Sequence, residues 1–210
     1  TSTLALINKK AIDVDTKSSV GMMLINDSNS VNKTKVKAEN SGVITLKNAT
    51  NNTGNIGILA KKNSTGINKD NGIINVNSKK SIGMLAQSKG DVKNNKEIEV
   101  LAEKGVGIFV SDTGTGVNTN PNGKITLMNK EAVGIFAKNN GNIYTAKNSG
   151  KVILGSADGT TTHESLIGMF AQAEAGKKAS IKNIDTIDVN TKKSVGMYAK
   201  NDAANVDDVD

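Results

Sequence analysis

The chain has 210 residues, no Cys, no Trp, one Pro and 21 Gly, and its formal charge of +7 comes from lysine alone, since no Arg occurs. These facts exclude a disulfide framework or thiolate metal site, and no apolar run approaches the ~20 residues that cross a bilayer. They also count against nucleic acid as a partner, because Arg for phosphate and guanine is missing and only five aromatic residues are present for stacking.

In chain order the first informative element is an alternating apolar pair, Ile12 and Val14, followed by Val20-Gly21-Met22-Met23-Leu24. The same succession returns along the chain. The pairs are Ile44/Leu46, Ile74/Val76, Ile98/Val100, Ile125/Leu127, Val152/Leu154 and Ile187/Val189. The glycine motifs that follow them centre on Gly57, Gly83, Gly107, Gly134, Gly168 and Gly196, so that successive glycines stand 36, 26, 24, 27, 34 and 28 residues apart. In five of the seven copies a four-residue polar turn, such as Asp15 to Ser18 or Asn190 to Lys193, separates pair from motif. A third short segment is expected downstream, at Val31-Asn32, Ile67-Asn68, Val92, Val117-Asn118, Ile143 and Ile181.

Three strands of a few residues per repeat, period-2 alternation and turn residues between them predict an all-β fold, a parallel β-helix of about seven coils with three short strands per coil. Layers about 4.8 Å apart make a rod section of roughly 35 Å. Alternation places Val195, Met197 and Ala199 and their counterparts inside, with Ala at a narrowing corner. The Gly column then marks a bulge or a close backbone approach. Stacked Asn side chains are expected to bond between coils. The column Met23, Leu59, Leu85, Phe109, Phe136, Phe170, Tyr198 falls on the opposite face, and two readings of it stand open: tucked under a turn or into the core, or an outward ridge for partners or self-association.

Two copies lengthen the turn between the first and second strands, at 47–54 (KNATNNTG) and 155–165 (GSADGTTTHES). Both insertions belong to one corner, so both are expected to project from one edge, roughly 20 Å apart. Solenoids often bind through such insertions. The candidate binding residues are Asn48, Asn51, Asn52, Asp158, Thr161, His163 and Glu164; tolerated solvent loops are the other reading. The lone His163 cannot build a metal site unaided, the acids are dispersed, and no metal-binding or nucleophile motif occurs. No catalytic residue, metal or cofactor is expected.

The runs SVGMYAKN, AVGIFAKNNG and SIGMLAQSKG resemble the passenger repeats of very large autotransporter adhesins of fusobacteria and their relatives, the RadD-like outer-membrane proteins, over essentially the whole chain. The Lys-for-Arg and Asn-heavy usage fits their AT-rich genomes. The resemblance implies a right-handed β-helix on the bacterial cell surface, anchored in the outer membrane through a C-terminal β-barrel outside these residues. It further implies a structural rod in adhesion, whose partners are protein or glycan receptors on other bacteria or host cells. It carries over no binding residue. Trimeric autotransporter heads are the nearest competitor, but their repeat is about half as long. Residues 1–210 are read as one β-helix segment from a longer array, monomeric, without membrane contact of its own and with any export signal elsewhere. A carbohydrate-active β-helix enzyme and a passive spacer are the alternatives.

Overall fold

Alternating Ile/Val/Leu pairs between polar turns are short strands with one face dry, and a single coil cannot cover that face. A computed structural model, describing residues 3–27, 35–48, 52–119, 121–141, 145–156 and 163–202, shows how stacking covers it. The strands form three sheets, each of seven parallel strands, and each coil contributes one strand to every sheet. The fold is the expected parallel β-helix with three strands per coil.

The second sheet holds the apolar pairs, in strands Ala11–Val14, Val43–Leu46, Ile73–Val76, Glu97–Val100, Lys124–Leu127, Lys151–Leu154 and Ile187–Val189. Ile12, Ile44, Ile74, Ile98, Ile125, Val152 and Ile187 lie in one register column, and Val14 to Val189 in the next. From Ile44 to Leu154 both columns have no accessible surface.

The third sheet holds the glycine motifs, in Val20–Ile25, Ile56–Lys61, Ile82–Gln87, Val106–Ser111, Val133–Lys138, Ile167–Glu174 and Val195–Asp202. Here strict alternation fails. Gly107 and Ile108 are both buried, while Val106 is only half-buried, and the pattern repeats from Gly57 to Gly168. Two consecutive residues face inward, so the Val/Ile column before each Gly, expected in the interior, lies on the outer side instead. The glycine is required by a close approach: a Cβ on Gly57, Gly83, Gly107, Gly134 or Gly168 would stand 2.5–2.7 Å from the carbonyl oxygen of the next glycine in the column. Met22, Ile58, Met84, Ile108, Ile135 and Met169, with Ala60, Ala86 and Ala137, fill the core as expected.

The first sheet comprises Thr3–Asn8, Lys35–Asn40, Thr65–Asn68, Asp91–Asn94, Thr115–Asn118, Ala146–Asn148 and Ile181–Asn183. Ile67, Val92, Val117 and Ile181 fall in these strands, but Val31-Asn32 and Ile143 lie outside the described residues; the strands of those coils are Lys35–Asn40 and Ala146–Asn148. Every strand of this sheet ends in Asn. Asn8, Asn40, Asn68, Asn94, Asn118, Asn148 and Asn183 form an unbroken file in which each Nδ2 donates to the Oδ1 of the next at 2.8–2.9 Å. The second amide hydrogen goes to a carbonyl in the following turn, as from Asn40 to Gly42 and Asn68 to Gly72. The file is buried yet satisfied, which removes the desolvation penalty an unpaired amide would carry.

Candidate functional site

Among the described residues the most regular surface features are outer columns and corners, and these are the candidate sites. The aromatic column is the most defined. Its strands are in register, with Phe109 opposite Phe136, Phe136 opposite Phe170 and Phe170 opposite Tyr198. The rings stack with centroids 4.8, 4.8 and 5.2 Å apart and planes within 16°. Neither expected environment holds for the whole column. Leu59 and Leu85 are buried (4% and 9% exposed), the three Phe are half-buried, and Met23 and Tyr198 are exposed (51% and 43%). Because the rings cover one another's faces, they offer solvent mainly their edges, a poor platform for stacking a sugar or base.

At the corner between the second and third sheets, the four-residue turns use left-handed conformations at Ser18, Lys80, Lys104, Glu131 and Lys193. Hydroxyl pairs close three of these turns, Thr16 with Ser19, Ser78 with Ser81 and Thr191 with Ser194, at 2.6–2.7 Å. In-register stacking threatens to put like charges one layer apart; the column Lys79, Glu103, Lys130 alternates sign instead, although the next column sets Lys80 beside Lys104. Glu103 lies between Lys79 at 3.1 Å and Lys130 at 3.8 Å, and Lys104 meets Glu131 at 3.3 Å. The hydrogen bond from Lys79 holds the Glu103 carboxyl below the usual carboxylate range.

The insertions open at this corner. In the first, Asn48 is exposed, but Asn52 is not an edge residue: it is 7% exposed, and its Nδ2 donates to Asp15 Oδ1 at 3.1 Å. Asn55 completes the anchoring by accepting from the Ser19 amide at 2.9 Å and donating to Ser78 Oγ at 3.3 Å. The described part of this insertion therefore lies against its neighbours instead of projecting, and backbone bonds hold it as well, with the Ser18 amide donating to the Thr53 carbonyl at 3.0 Å and the Gly54 amide to the Lys79 carbonyl at 3.2 Å. In the second, His163 and Glu164 are exposed, and Glu164 pairs with Lys193 at 3.0 Å. Asn51, Asp158 and Thr161 lie outside the described residues. Among the described residues no three His, Asp or Glu side chains converge to hold a metal ion.

Sequence reasoning missed two features. Asp91, on the outer face of the first sheet, has its carboxyl raised by burial, an effect only partly opposed by Lys93. A shallow polar depression of about 210 Å³, lined by Asp70, Asn95, Thr119, Pro121 and Asn122, opens at the corner between the first and second sheets. Neither has a motif; both arise from which turns the coil spacing brings together.

Fold and surface together define a class: a stacked parallel β-helix that presents regular faces and edges. The profile of the BigA third pectate lyase-like domain matches residues 58–175, more than half of the chain, and the chain belongs to that family. Domains of this type are found in bacterial surface proteins, consistent with a place at the cell surface. Comparison with curated proteins and with solved structures returns no match.

Proposed function

We propose that the chain is a rod section of a bacterial surface adhesin, non-catalytic, which holds adhesive edges away from the cell. The observation that carries this reading is the continuity of the stack: seven strands in each sheet, with Asn, Gly and aromatic files running through successive layers. Such a structure gives length and stiffness, because each layer shields the next from water. Membership in a family found in surface proteins supports the location. Kinship with RadD-like autotransporters, outer-membrane anchoring through a C-terminal β-barrel, right-handed winding and receptors on other bacteria or host cells form the finer part of the proposal, and the repeat motifs support them. The test is adhesion of beads coated with the chain to bacterial and host-cell surfaces, against beads coated with an unrelated β-helix. Saturable adhesion that soluble chain competes away is expected. Adhesion no greater than the control would overturn the reading, and adhesion unchanged by shortening both insertions to four-residue turns would remove them as the binding edges.

A further inference from the structure

Lysines surround the rod, and those without an ion pair are unevenly distributed. On the outer face of the second sheet Lys124 and Lys151 each meet an acid, Glu97 and Asp188. At the corner between the second and third sheets Lys79, Lys104, Lys130 and Lys193 are paired as well, and Lys17, Lys80 and Lys192 have no ion pair among the described residues. On the remaining side, the outer face of the first sheet and the turns at its two edges, Lys9 and Lys10 in the first coil and six lysines further along have no ion pair among the described residues, the six being Lys61, Lys89, Lys96, Lys147, Lys177 and Lys178. Acids there are largely engaged. Glu39 is held by Lys37 and Lys69, Asp91 by Lys93 and Glu174 by Lys138. Among the described residues Asp70 has no lysine partner, and Asp112 takes a hydrogen bond from Gln87. The uncompensated positive charge is therefore densest on this side, and these six lysines extend over the four layer steps from Thr65–Asn68 to Ile181–Asn183, about 19 Å at the usual strand spacing.

We propose that this side of the rod binds a linear acidic polysaccharide laid along the axis. The inference rests on the reading of the chain as an adhesin and names its class of receptor. A strip of separated ammonium groups matches a chain that carries negative charge at intervals. The polar depression lined by Asp70, Asn95, Thr119, Pro121 and Asn122 opens on the same edge, beside Lys96, and offers amide and hydroxyl groups to sugar hydroxyls. A folded protein partner would want a buried aromatic or Arg anchor, and the stacked rings lie on a different sheet. Nucleic acid would want Arg and free ring faces, and the chain has no Arg.

The test is titration onto immobilised heparin and onto neutral dextran, each at low and physiological salt. Two triple variants remove equal charge: Lys89→Gln, Lys96→Gln, Lys147→Gln on the proposed side, and Lys17→Gln, Lys80→Gln, Lys192→Gln on the opposite corner. The expected result is salt-sensitive binding to heparin alone, weakened ~10-fold or more by the first triple, with the salt slope reduced by about three, and little changed by the second. No heparin binding, or equal loss in both triples, overturns the inference. If the first triple also lowers the unfolding midpoint, Lys147→Gln alone carries the test, with a slope reduced by about one. Loss of heparin binding with cell adhesion intact would sink the polysaccharide and leave the adhesin; absence of cell adhesion by the native chain would sink the adhesin reading itself.

Discussion

Gly107→Ala probes the packing of the glycine file directly. A Cβ there would lie 2.7 Å from the carbonyl oxygen of Gly134 and 2.8 Å from Cγ2 of Ile125, deep in the stack. Neither neighbour can yield cheaply, because one is backbone in the next coil and the other sits in a column with no accessible surface. Overpacking of this kind costs about 1–3 kcal/mol, while loss of glycine's freedom in the unfolded chain returns about 0.4–1 kcal/mol. The expected net is a destabilisation of about 1–2 kcal/mol. Gly196→Ala is the control within the same motif: its Cβ would meet nothing closer than 3.8 Å, so the unfolded-state term acts alone and the variant is neutral or slightly more stable. Urea unfolding followed by far-ultraviolet circular dichroism reads both midpoints. Equal midpoints, or a neutral Gly107→Ala, would refute the claim that stacked backbone, and not local conformation, dictates glycine here.

Asn94→Ala leaves the Nδ2 of Asn68 and the Oδ1 of Asn118 without their partners in a buried file, and about 3 kcal/mol of stability is expected to go with them. Asn183→Ala, with one Asn neighbour in the file, loses less; equal losses in urea melts would contradict a continuous chain of amide bonds. Asp91→Asn reverses the usual sense. Burial raises its folded pKa above the ordinary 3.8, so its unfavourable contribution sets in as pH rises through that range and is complete above the folded value. The Asn variant is therefore expected to melt higher than the native chain at neutral pH, with the difference closing in acid. Glu39, Glu103, Glu174 and Asp202 run the other way, since lysine partners depress them; their stabilisation is present above the ordinary carboxylate range and fades as pH falls through the depressed values. A thermal melt of Asp91→Asn below that of the native chain at neutral pH would refute the burial argument.

Much of the architecture is legible in the sequence because a solenoid repeats its physics. The Ile12-to-Ile187 and Val14-to-Val189 columns could be written down from alternation alone, and the glycine spacing supplied the coils. Strict alternation misled at the Gly itself, where two inward residues in succession turn the preceding Val or Ile outward. The Asn file was half visible. In three coils it stands 11 residues after the glycine, at Asn68, Asn94 and Asn118, but longer connections move it to 19, 14 and 15 residues at Asn40, Asn148 and Asn183. The better signal would have been Asn followed within a few residues by the next apolar pair, as in ENSGVITL and KNSGKVIL, since that Asn closes the corner leading into it. The candidate surface was less legible. Which lysines lack partners depends on which acid the neighbouring coil brings alongside, and insertions of unequal length hide that pairing from a linear reading.

Direct stacking of successive motif copies underlies every feature of the rod. Ser111 and Lys138 are register partners on adjacent strands, whereas Gln172 lies one strand further on. The chain has no Cys of its own, so Ser111→Cys with Lys138→Cys reports on one step of the stack. Adjacent parallel strands hold the two Cα atoms about 4.8 Å apart, within disulfide range, and a second step places them near 10 Å, outside it. Mild oxidation of the folded chain is expected to cross-link the adjacent pair and to spare Ser111→Cys with Gln172→Cys. Cross-linking of the distant pair as readily as the adjacent one, or of neither, would contradict the stacked β-helix.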